Sequence, residues 1–132
     1  MKERKDFYQV IEDIYSNDSR YKPDAYEFVM QALYFTQKKI KKQGHMSGKE
    51  LLQGIRDFAA QEYGPMAKTL LYYWGITKTD DFGNIVFNMI EKKVLSKTED
   101  DSVADFKNVY DFEKVFGNIL RESVIKEMSK VK

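Results

Sequence analysis

Cysteine is absent from this 132-residue chain, and histidine occurs once, at His45. Without thiols there is no disulfide, no thiol nucleophile and no thiolate metal site. One histidine cannot supply the several ligands of a zinc site, and a general base needs a second group to hold it. His45, between Gly44 and Met46, is read as a solvent-exposed or capping residue. Charge of one sign is also missing. The 22 basic side chains face 21 acidic ones, a net of +1, so the chain as a whole is not drawn to nucleic acid or to an anionic bilayer. No apolar run approaches the roughly 18–20 residues of a membrane span. The first residues, MKERKDFYQV, lack the apolar core of a signal peptide. A cytoplasmic protein without a membrane partner is expected.

What is present is apolar surface at helical spacing. With 42% hydrophobic and 14% aromatic residues, the chain can bury a core, and a disordered reading fails. Its length suits a single domain, 1–132. Phe7, Val10, Ile11, Ile14 and Tyr15 share the face of a first helix that stops near Ser16-Asn17-Asp18. Pro23 opens a second, with Ala25, Phe28, Val29, Ala32 and Leu33 on one stripe. These two form an N-terminal pair, 1–43. The second helix ends in KKIKKQGHMSGKE, residues 38–50. That stretch falls short of a phosphate-binding loop. The spacing from Gly44 to Gly48-Lys49 is one residue too small, Glu50 stands where Ser or Thr is needed, and no strand precedes it. Ser47-Gly48-Lys49-Glu50 instead fits a capping box for a third helix, carrying Leu51, Leu52, Ile55, Phe58 and Ala59.

Gly64-Pro65 breaks the third helix. A short fourth helix runs from Pro65 to Trp74, and a fifth carries Phe82, Ile85, Val86, Met89 and Ile90. Thr77 and Thr79 are its expected caps, with Asp80 and Asp81 suiting its positive end. Residues 95–98 and 106–110 read as two short strands around a polar turn. The last helix, 112–130, carries Phe112, Val115, Phe116, Ile119, Leu120 and Ile125. The expected fold is mainly α: a compact bundle of about six helices with a short β-hairpin after the fifth. Helices 47–63, 65–74 and 79–93 followed by a polar-tipped hairpin, 95–110, suggest a winged-helix-like core over 47–111 in which the helix 79–93 would read a DNA groove.

Several constellations resemble chemistry and fail on spacing. Asp81-Phe82-Gly83 matches a kinase metal motif in letters, but no Gly-rich loop or catalytic loop accompanies it. The acidic run 99–105 lacks the alternation and the distal Glu of a calcium loop. No catalytic, metal or cofactor-binding residue is assigned. A carboxylate-based enzyme is kept as a third reading.

Two sets of residues remain as sites. Candidate nucleic-acid contacts are Lys38, Lys39, Lys41, Lys42, Lys49, Asn84, Asn88, Lys92, Lys93 and Lys97, since dense lysines neutralise phosphates. Acids on the fifth helix, and the absence there of arginine, count against them. The candidate partner surface is Tyr34, Phe35, Tyr72, Tyr73 and Trp74. Three successive residues span about 200° of a helix, so Tyr72, Tyr73 and Trp74 cannot all face one core. Either the short helix is buried on several sides, or part of the aromatic surface meets a partner.

The runs Ala25-Tyr26-Glu27-Phe28-Val29 and Glu50-Leu51-Leu52 belong to a wider pattern with Tyr63-Gly64-Pro65-Met66-Ala67, Trp74-Gly75, 81–88 (DFGNIVFN), Asp105-Phe106 and 109–112 (VYDF). This pattern, from about residue 5 to 116, resembles a small family of uncharacterised bacterial proteins. The resemblance implies a free-standing bacterial protein and brings no activity, cofactor or catalytic residue with it. The expected function is a non-enzymatic module whose partner is another protein or a second copy. A nucleic-acid-binding regulator is the alternative.

Overall fold

The computed structural model describes residues 2–40, 46–95 and 103–130. Its helices are α1 (Lys2–Asn17), α2 (Pro23–Ile40), α3 (Gly48–Tyr63), α4 (Ala67–Tyr73), α5 (Thr79–Glu91) and α6 (Phe112–Lys130). A 3-10 turn, Gly64–Met66, joins α3 to α4. The expectation of about six bundle helices needs correcting: five run to 13 residues or more, while α4 has only seven and continues the turn before it.

The expected hairpin is overturned, and with it the winged-helix reading. No strand occurs among the described residues. Residues 96–102 lie outside them, but Val103–Phe106 is a 3-10 turn rather than the beginning of a returning strand. Phe106 is buried and seats where two helices present glycines instead of side chains. A Cβ on Gly83 would lie 2.8 Å from the Cβ of Phe106, and one on Gly48 would lie 3.3 Å from its ring. Coiling brings Phe106 into that seat. Asn108, with a φ of 50°, then turns the chain toward α6.

Local chemistry explains the helix starts. Ser47 caps α3 as expected: its Oγ accepts the Glu50 N–H at 3.1 Å, and the Ser47 N–H donates to Glu50 Oε1 at 2.8 Å. Neither expected threonine caps α5. Its first residue is Thr79, and the carboxylate of Asp81 reaches back to accept the N–H groups of Thr77 and Lys78 at 2.9 and 3.2 Å. The end of α5 is closed by Lys93 in the left-handed region, φ 64°. There the Lys93 N–H donates to the Ile90 carbonyl and the Val94 N–H to that of Met89.

The core lies between α2, α3 and α5, around Tyr26, Phe28, Leu52, Ile55, Phe82, Ile85 and Met89. The crossing of α2 and α3 is close because Gly54 faces the buried Thr36, whose hydroxyl bonds to the Ala32 carbonyl. The inner part of α6 closes the body through Phe112, Phe116 and Ile119, packing on α4 and the Gly64–Met66 turn. No helix among the described residues is long and apolar enough to cross a membrane.

Candidate interaction surface

The densest polar cluster ties the α1–α2 turn to α5. The Tyr21 hydroxyl donates to Asp81 Oδ1 at 2.6 Å, and the Asn84 amide donates to Tyr21 Oη at 2.9 Å. One turn on, the Asn88 amide donates to Asp18 Oδ2 and to Tyr26 Oη, both at 3.0 Å. Arg20 grips Asp18 at 2.7 Å. That bond holds the Asp18 carboxyl far below the usual carboxylate range, against the opposing effect of burial. Burial, reinforced by the bond to Asp81, pushes the Tyr21 phenol well above its ordinary value. No buried side-chain polar atom among the described residues lacks a partner. Both oxygens of Asp81 are engaged. The cluster is a closed brace, with both Asp81 oxygens and the amide N–H groups of Asn84 and Asn88 committed within the fold.

A groove of about 790 Å³ opens between the N-terminal ends of α5 and α6, lined by residues 77–80 and 107–113. Its polar groups hold the incoming chain. Asp80 accepts the Asn108 N–H at 2.9 Å, Thr79 Oγ1 accepts the Val109 N–H at 3.1 Å, and Asp111 caps α6 through the Lys114 N–H. No group of three metal-ligating side chains comes together among the described residues.

The predicted nucleic-acid contacts divide. Lys41, Lys42 and Lys97 lie outside the described residues, as does His45. Lys38, Lys49, Lys92 and Lys93 are exposed. Lys39 is engaged with Asp57 at 2.7 Å. Asn84 and Asn88 do not face outward; both amides belong to the brace. The lysines form two groups. Lys38 and Lys39 end α2, whereas α5 meets α2 at Tyr26, about 18 Å back along α2 at 1.5 Å per residue.

The predicted aromatic surface also splits. Trp74 is buried between Phe28 and Tyr63, with ring centroids 5.6 and 5.8 Å away. Phe35 is half-buried against Phe58. Tyr72 stacks on Phe112 at 5.8 Å and remains partly open. Tyr34 and Tyr73 are 58% and 66% exposed. Lys22 stands 5.0 Å above the Tyr73 ring, in cation–π geometry.

The larger open apolar surface lies elsewhere. On the outer part of α6, Val124, Ile125 and Met128 are 48%, 57% and 65% exposed. Ile125, expected on the buried stripe, is therefore open. The cause is direction. At about 100° per residue Phe112, Phe116 and Ile119 fall within a sector of about 60°, and Val124, Ile125 and Met128 lie on the other side of the helix, about 160° round from it. On the flank between the two faces, Glu122 reaches Arg56 of α3 at 3.9 Å. Sequence reasoning missed Val124 and Met128, and also Met66, which is exposed in the turn that α6 packs upon. The available signal for Val124 and Met128 was the helical wheel, which sets them with Ile125 on the side of the last helix away from Phe112, Phe116 and Ile119.

No family model matches the chain. No curated protein and no solved structure matches it either.

Proposed function

We propose that this protein is a non-catalytic interaction module that binds another protein chain through the exposed apolar face at the outer end of α6. The exposure of Val124, Ile125 and Met128 on one helix carries this reading. A helix end with an uncovered apolar face gains little stability by itself in water and gains most by being covered. The closed brace around Asp81 adds support, because its most perturbed groups are occupied in holding α5. Lack of cysteine fits a reducing compartment, and the cytoplasm is taken as the place of action. The resemblance to uncharacterised bacterial proteins belongs to the same reading and adds no activity.

Affinity capture with the full chain, compared with Ile125→Glu, tests the role. Retention of a protein, a second copy included, by the parent and its loss in the variant are expected. Equal retention by both, or none by either, would refute it. A nucleic-acid role retains the exposed Lys38, Lys49, Lys92 and Lys93 but has lost the two asparagines to the brace. Fluorescence anisotropy at low salt checks it: absence of binding there ends that alternative.

A further inference from the structure

The outer half of α6 has a charge pattern that an arbitrary partner would not require. About Val124 four of its five charges mirror one another with opposite sign. Arg121 stands three residues before and Glu127 three after; Glu122 stands two before and Lys126 two after. At about 100° per residue, Val124, Met128, Arg121 and Ile125 fall within a sector of about 100°. Arg121 thus stands amid the apolar face. It is exposed and has no ion-pair partner among the described residues. A cation set within an apolar face is completed by an anion arriving with whatever covers that face.

We propose that the outer half of α6 pairs antiparallel with α6 of a second copy, about a two-fold axis at Val124. In that register Arg121 of each copy lies level with Glu127 of the other. Val124 meets its own equivalent, and Ile125 and Met128 cover the opposite apolar face. Glu122 and Lys126 lie level with each other farther round, adding attraction at longer range. A parallel pair would set Arg121 on Arg121 and Glu127 on Glu127, so the charges select the antiparallel one. A two-fold contact requires a surface complementary to itself, and the mirrored charges meet that condition. A lipid surface fits poorly. Residues 121–130 hold three basic and two acidic side chains, short of the basic excess that draws a helix to anionic lipid. Two ten-residue stretches, each about 15 Å long, fall short of a standard interface of roughly 1,600 Å². Pairing is therefore weak and rises with concentration. It presupposes the interaction role proposed above.

Sedimentation equilibrium of the full chain over a rising concentration series tests the pairing. A monomer–dimer equilibrium is expected. Ile125→Glu, an exposed position, should raise the dissociation constant at least tenfold with the helical circular dichroism unchanged. Arg121→Glu should raise it several-fold, and the double variant Arg121→Glu with Glu127→Arg should recover most of that loss. A monomer at every concentration overturns the proposal. So does a dimer indifferent to Ile125→Glu, or a double variant without recovery. If a monomeric chain still captures a different protein in an Ile125-dependent way, pairing falls while the interaction role stands. If it captures nothing, both fall.

Discussion

The two halves of α6 each group three apolar residues, on opposite sides of the helix and with opposite fates. Phe112, Phe116 and Ile119 are buried against α4 and the turn before it, while Val124, Ile125 and Met128 stand open. The turn of the helix makes this difference. Periodicity gives a helix a face, and burial requires another element opposite; the body covers the side that Phe112, Phe116 and Ile119 occupy, and no described element covers the other. A second apolar face turned away from the fold therefore shows where a partner would add surface.

The contrast is broken or sharpened most forcefully at the inner half. Phe116→Ala should cost about 4 kcal/mol, the usual range for a buried ring, measured by urea denaturation. Next comes the platform beneath it. A Cβ on Gly54 would stand 1.7 Å from Thr36 Oγ1, and 2.7 Å from its Cβ. Gly54→Ala should force α2 and α3 apart at about 3 kcal/mol, read the same way. Tyr21→Phe leaves Asp81 Oδ1 without its hydroxyl donor in a buried setting and should cost about 2 kcal/mol.

Titration probes the brace, and with it Tyr110, whose hydroxyl donates to the Leu52 carbonyl at 3.3 Å. Burial raises the Tyr21 and Tyr110 phenols, so the fold favours their protonated forms. The stability this provides is complete below about pH 10, the unfolded value, and disappears as pH rises through the folded ones. Asp18 has the opposite sign. Its lowered carboxyl stabilises above about pH 4 and ceases to do so as pH falls toward the folded value. Circular dichroism across both limits, with tyrosinate absorbance on the alkaline side, checks the pair. Ionisation of all nine tyrosines near the ordinary value without unfolding would contradict the brace. The smallest effect belongs to the outer half: Ile125→Ser should change monomer stability by no more than about 0.5 kcal/mol. A cost comparable to that of Phe116→Ala would mean that Ile125 is packed within the monomer, and the comparison would collapse.

Legibility followed sequence distance. The Ser47–Glu50 capping box was readable because both of its bonds lie within four residues. Asp81 was readable as an acid at a helix start. Its bond to Tyr21, 60 residues away, was not, nor was the inward turn of Asn84 and Asn88, which at helical spacing look the same whether they face solvent or a distant tyrosine. The hairpin reading failed for a related reason. Residues 106–110 read as a strand returning from a polar turn, but the local conformation follows from the seat that Gly48 and Gly83 leave for Phe106. A glycine inside a helix pattern does not announce which ring will fill its space. In the aromatic run 72–74, helical geometry alone indicated that the three could not share one core, and only packing selected Trp74 for the interior.

By itself the sequence determined a helical chain, most of its helix boundaries and the faces those helices would bury, because these depend on backbone bonds and side-chain spacing within a few residues. Tertiary structure alone decided which side of α6 the body covers, that the polar residues of α5 form a brace instead of facing outward, and that Phe106 coils into place. Each of these depends on what stands opposite a given side chain, and that is set by contacts between residues far apart in the chain.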